Sequence, residues 1–113
     1  MLVDSIVAFG QVDADGNMIE GSGNWDSFKD DSWGAPGVYR VELHHNPMHS
    51  LTVIVSPGHH DTHGGQDTGI DQSDNIFVPF DVTPNGFGVN SRDISGRNAG
   101  NEDAAFNFVV FGM

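Results

Sequence analysis

Apolar residues along this chain recur with a period of two rather than 3.6. In Val38-Tyr39-Arg40-Val41-Glu42-Leu43, Tyr39, Val41 and Leu43 share one face while Arg40 and Glu42 take the other, the alternation of a half-buried strand. Residues 51–55 and 75–80 are short β-branched and aromatic runs bounded by Pro and Gly, and each predicts a strand. Near the C-terminus Phe106, Phe108 and Val110 alternate with Asn107, Val109 and Phe111. Apolar side chains on both faces predict a strand covered on both sides, at the centre of a sheet. Shorter strands are expected at 6–12, 17–20, 25–29 and 87–90.

The connections carry turn chemistry. Asp15-Gly16 and Asn85-Gly86 sit between strand runs, where Gly accepts the positive φ of a hairpin, so tight turns are predicted at 13–17 and 83–86. Two longer Gly-rich stretches, 56–74 and 92–103, have no strand pattern and read as loops. No helix-length window keeps its apolar residues at helical spacing, and Gly or Pro interrupts every candidate. The expectation is one all-β domain over residues 1–113, an antiparallel β-sandwich of about seven or eight strands with little or no helix. Its predicted core is Ile6, Ala8, Val12, Tyr39, Val41, Leu43, Val53, Val55, Phe77, Phe106, Phe108 and Val110.

Charge then narrows the partners. Sixteen acids against four Lys and Arg leave a formal charge of −12, which repels phosphate backbones and anionic lipid at long range. Neither nucleic acid nor a membrane is expected as a partner. The chain has no Cys, so disulfides, thiolate metal sites and thiol nucleophiles are excluded. The apolar run from Ala104 to Phe111 is broken by Asn107 and falls short of the roughly 20 residues of a spanning helix. Met1-Leu2-Val3-Asp4 lacks the basic start and apolar stretch of a signal peptide, so synthesis and folding in a cytoplasm are expected.

Candidate chemistry is concentrated in a few places. All six His lie between His44 and His63, three before the 51–55 strand and three after it. A strand of five residues spans roughly 17 Å, which separates them into two triplets. His59 and His63 with Asp61 between them are the candidate metal ligands, suited to Zn, Ni or Fe as a structural or subunit-bridging divalent ion. The competing reading of this stretch is exposed loop imidazoles and no cofactor, and it is the one favoured. Asp13-Ala14-Asp15-Gly16-Asn17 opens like a calcium loop, but the positions that need Gly and Glu hold Met18 and Asn24. It reads as a hairpin turn with two exposed acids. Asp26, Asp30 and Asp31, and likewise Asp67, Asp71 and Asp74, read as a solvated acidic face.

Trp25 and Trp33 bracket the acidic stretch, with Phe28 between them. An aromatic face beside carboxylates suits a sugar, whose C–H face stacks on the ring, and makes Trp25 and Trp33 the candidate ligand-binding residues. Burial of Trp25 and Phe28 in a core or subunit interface is the alternative, and the favoured one. No G-x-S-x-G elbow or Gly-rich phosphate cradle is present, and a 12.1 kDa sandwich has little room for a cleft between paired carboxylates. No catalytic residue is assigned.

Several pieces, taken in order, point to a known module. They are Ala8-Phe9-Gly10-Gln11-Val12-Asp13-Ala14-Asp15-Gly16-Asn17-Met18-Ile19, then Gly21-Ser22-Gly23, Gly37-Val38-Tyr39-Arg40-Val41, and Ala104-Ala105-Phe106-Asn107-Phe108-Val109-Val110-Phe111-Gly112. Together they resemble a β-sandwich module at the tips of bacteriophage tail fibres and in related surface proteins. The resemblance covers both ends and the middle strand, not the His-rich loop. It implies a small, often trimeric sandwich acting by contact, and hence a non-enzymatic virion protein. The expected partners are copies of itself as a homotrimer, other tail or capsid proteins, and a host surface glycan. Because this chain starts at Met1 and holds the module alone, a separately encoded decoration piece of capsid or tail is the expectation beside a receptor-binding tip. A glycan-binding module and a metal-dependent enzyme using His59, Asp61 and His63 are the further alternatives.

Overall fold

The computed structural model describes residues 5–44, 51–58, 75–94 and 100–112. Among the described residues nine strands form two antiparallel sheets: β1 (Ser5–Val12), β2 (Met18–Gly21), β3 (Trp25–Lys29), β4 (Val38–Leu43), β5 (Leu51–Pro57), β6 (Asn75–Thr83), β7 (Gly86–Asp93), β8 (Gly100–Asn101) and β9 (Phe106–Gly112). Sheet I has the order β2-β1-β9-β5, and sheet II has β3-β4-β7-β6 with the short β8 beside the end of β7. The all-β sandwich is as the alternation predicts, and β9 lies between β1 and β5, inside its sheet. A 3-10 turn, Asp31–Trp33, follows β3, and among the described residues no α-helix occurs. The ninth strand arises because β8 pairs with β7 within a stretch expected to be loop, through Arg92 opposite Asn101 and Asp93 opposite Gly100.

The two sheets meet through aromatic rings on β9. Phe108 takes the edge of Trp25 at 4.8 Å and of Phe87 at 5.3 Å, while Phe106 meets Tyr39 at 5.3 Å. Edge-on and tilted pairs at these separations add to the burial of the rings themselves. Ala8, Val12, Val41, Val89 and Val110 complete the buried cluster, and Leu43, Val53, Val55 and Phe77 pack against it half-buried. The other face of β9, with Asn107, Val109 and Phe111, is half-buried rather than covered.

Ile6 corrects the predicted core: it is 59% exposed. The register of β1 against β9 shifts between Ile6, opposite Phe111, and Ala8, opposite Val110, so Val7 is an extra residue. A bulge of one residue inverts the alternation beyond it, turning Val7 towards the core and Ile6 to solvent.

Both predicted turns are present. In the first, Gly16 N–H donates to Asp13 O at 2.9 Å, and Gly16 has φ +90°, where a Cβ would be strained. Asp13 is not exposed as expected. It is buried because its Oδ1 accepts the N–H groups of Asp15 and Asn17, each at 2.9 Å, and so holds the turn closed. Beyond β8 the chain is tied down by Tyr39, whose hydroxyl donates to Ala14 O and accepts from Ala104 N–H. Asp103 adds a 2.6 Å ion pair with Lys29 and accepts the Gly37 N–H.

Candidate functional site

The two sequence-predicted tryptophans end in opposite environments. Trp25 is fully buried, and its Nε1–H donates to Phe9 O at 2.9 Å. Its ring fills the space that side chains at Gly10 and Gly21 would take; a Cβ on Gly10 would sit 2.0 Å from the indole. Gly10 and Gly21 are cross-strand partners, so two glycines on sheet I make the floor for a Trp from sheet II. Trp25 offers no face to a ligand, which removes it as a stacking platform. Its neighbour Phe28 lies on the outer face, 44% exposed, rather than in the core.

Trp33 is 58% exposed, on the 3-10 turn. Asp30 builds this position. Its Oδ1 accepts from Ser32 N–H and the Ser32 hydroxyl, and its Oδ2 accepts from Trp33 Nε1 at 3.2 Å and Arg40 Nε at 3.0 Å. These donors, the Ser32 hydroxyl foremost and then Arg40, hold the Asp30 carboxyl down at about 2, so it stays ionised well into acid. Asp30 is therefore a structural acceptor rather than part of a solvated acidic face. Arg40 also pairs with Asp81 at 3.2 Å and lies 4.8 Å from the centre of the Phe80 ring. Phe80 rests on Gly88, where any Cβ would strike the ring, and packs T-shaped with Trp33, the ring centres 5.9 Å apart.

Behind these rings lies a groove of about 470 Å³ on the outer face of sheet II. Val38, Asn90 and Val78 are in register across β4, β7 and β6 and form its floor. Trp33 and Phe80 wall one end, Arg92 and Asn101 the other. Asn101 Oδ1 accepts from both Arg92 Nη1 and Asn90 Nδ2, at 3.3 Å each, which positions the guanidinium. Sequence reading found Trp33 but not Phe80, Asn90, Arg92 or Asn101. The available signal was that Ile76, Val78 and Phe80 share a face opposite Phe77, marking β6 as apolar on both sides.

A second surface covers the outer face of sheet I. Cross-strand rows place Ile6, Phe111 and Thr52 together, then Phe9, Val109 and Ile54, then Gln11, Asn107 and Ser56. Ile6, Phe9 and Ile54 are exposed, the last by 56%.

The candidate metal ligands His59, Asp61 and His63 lie outside the described residues, as do His45, His49, His60, Asp67, Asp71 and Asp74. His44 is described and exposed, with Nε2 2.7 Å from Asp26 Oδ2 on the surface. Among the described residues no three His, Asp or Glu side chains gather as a metal site. No family model, curated protein or solved structure matches the chain.

Proposed function

We propose that this chain is a non-enzymatic bacteriophage virion protein, displayed on the particle surface as a fibre-tip-like or decoration module that acts by contact. The observation that supports action by contact is the outer face of sheet I, and the virion identity rests on the resemblance of the sequence. The outward residues of β1, β9 and β5 form an apolar centre with amide and hydroxyl flanks and include no charge, on a chain of net charge −12. Burying the rows of these three strands strips no ion of its water, and the carboxylate beside them, Glu20 opposite Gln11, belongs to the edge strand β2, so the centre of the face suits a protein contact. The occupant is a second copy of the chain. A domain this small gains stability from burial between protomers, and the resemblance to fibre tips supports a homotrimer. Remaining edges and loops are left to meet other tail or capsid proteins.

Solution mass by light scattering at neutral pH tests the assembly. The expected mass is three copies of the 12.1 kDa chain. Ile54→Lys, at the centre of the face, is expected to give a folded monomer with an unchanged far-ultraviolet spectrum. A wild-type monomer at tens of micromolar, or an Ile54→Lys protein that still assembles, overturns the reading.

A further inference from the structure

We infer that the groove on sheet II binds a carboxylate-bearing saccharide, an oligosaccharide containing uronic or sialic acid, with a pyranose on Trp33 and its carboxylate on Arg92. The inference stands on the groove alone and does not depend on assembly through sheet I.

Its first support is charge. Acids outnumber Lys and Arg by 16 to 4 in the chain, yet the lining of this groove includes Arg92 and no carboxylate. The other described cations are engaged by acids: Lys29 by Asp103, Arg40 by Asp30 and Asp81. Arg92 is held instead by the neutral Asn101 carbonyl, and among the described residues no carboxylate forms an ion pair with it. A guanidinium has the planar fork that matches a carboxylate in bidentate geometry.

The second support is shape. The Trp33 indole is exposed, but its N–H is already bound by Asp30 and its ring packs T-shaped with Phe80. A ring held in advance loses little freedom on binding, and its face takes the C–H side of a pyranose. Val38 and Val78 contribute apolar floor, while Asn90 and Asn101 line the groove with amides, a group that hydrogen-bonds hydroxyls. The volume falls in the range of small-ligand sites.

The test titrates the wild-type protein with trigalacturonic acid and with a trimer of α2,8-linked sialic acid, followed by calorimetry and tryptophan fluorescence. Trp33 reports the groove, and the buried Trp25 serves as internal reference. The comparison ligands are the methyl ester of trigalacturonic acid, neutral galactotriose and hexaglutamate. At least one acidic trimer is expected to bind at least tenfold more tightly than the ester, galactotriose and hexaglutamate. Arg92→Gln is expected to abolish that preference while leaving galactotriose binding within twofold, and Trp33→Ala to weaken both sugars at least tenfold. Absence of binding by both acidic trimers, equal binding of acid and ester, hexaglutamate binding as tight as the sugars, or a preference retained in Arg92→Gln each overturns the inference. The acid-against-ester comparison uses unaltered protein, so it decides even where a variant fails to fold.

Discussion

Replacing Tyr39 by Phe keeps the ring that packs on Phe106 and removes only a hydroxyl, so the loss of stability reports that hydroxyl's hydrogen bonds, two short ones and a long one of 3.5 Å to Asp103 Oδ1. Tyr39 and Ala104 are both fully buried. The hydroxyl donates to Ala14 O at 2.8 Å and accepts from Ala104 N–H at 3.0 Å, joining the first hairpin to the approach of β9. Without it the Ala104 N–H is left buried and unpaired, which costs about 1–3 kcal/mol, and the bond to Ala14 contributes about 0.5–1.5 kcal/mol more. The expected loss is about 1.5–4.5 kcal/mol, a large share of the roughly 5–15 kcal/mol that holds a domain folded. With a urea dependence of about 1.5 kcal/mol per molar, the unfolding midpoint falls by about 1–3 M. The assay is urea unfolding at one fixed protein concentration, because assembly shifts the midpoint by mass action. A loss under about 0.5 kcal/mol refutes the assignment of Tyr39 as the tie between these segments. The same group predicts alkaline behaviour. Burial foremost, and then the nearby Asp103 charge, push the Tyr39 phenol above its ordinary value. A raised folded pKa means that the stabilisation is complete below about pH 10, the unfolded value, and is lost as pH rises above it. Tyr39 is the chain's one tyrosine. The stability difference between wild type and Tyr39→Phe is therefore expected to shrink above pH 10.

Three further outcomes follow from the geometry. Gly10→Ala drives a Cβ into the Trp25 ring and is expected to cost about 3 kcal/mol, seen as a lowered thermal midpoint and a weakened near-ultraviolet tryptophan signal. Asp13→Ala removes the acceptor of two turn N–H groups and is expected to cost about 1–2 kcal/mol, with faster hydrogen exchange at the Asn17 amide. The Asp30 carboxyl, held at about 2, is expected to keep its contribution above the unfolded value of about 3.9 and lose it as pH falls towards 2; a carboxyl NMR titration gives its midpoint, which rises in Arg40→Gln.

The fold was legible because strand alternation and turn residues are local signals. Tyr39, Val41, Phe106, Phe108 and Val110 declare an inward face by spacing alone, and Asp-Gly and Asn-Gly mark turns through backbone sterics. Ile6 shows the limit of that reading. A one-residue bulge in the β1–β9 pairing leaves no mark in the spacing of β1, yet it reverses which residues face inward. The two tryptophans show it again, since an indole suits a core as well as a surface platform. Trp25 is buried because Gly10 and Gly21, paired across another sheet, leave room for it, and Trp33 is exposed because Asp30 holds its turn outside the sandwich.

By itself the sequence determined the class of fold, most of its strands, the turn positions and the acidic character of the chain. All of these depend on neighbours in the chain or on summed composition. The tertiary structure alone decided which apolar residues stay outside, that the outward positions of β1, β9 and β5 make one uncharged face, and that Trp33, Arg92 and Asn101 line a common groove. Such groupings join residues far apart in sequence through strand order and register, which are set by the packing of two sheets against each other and are not carried by any local stretch of chain.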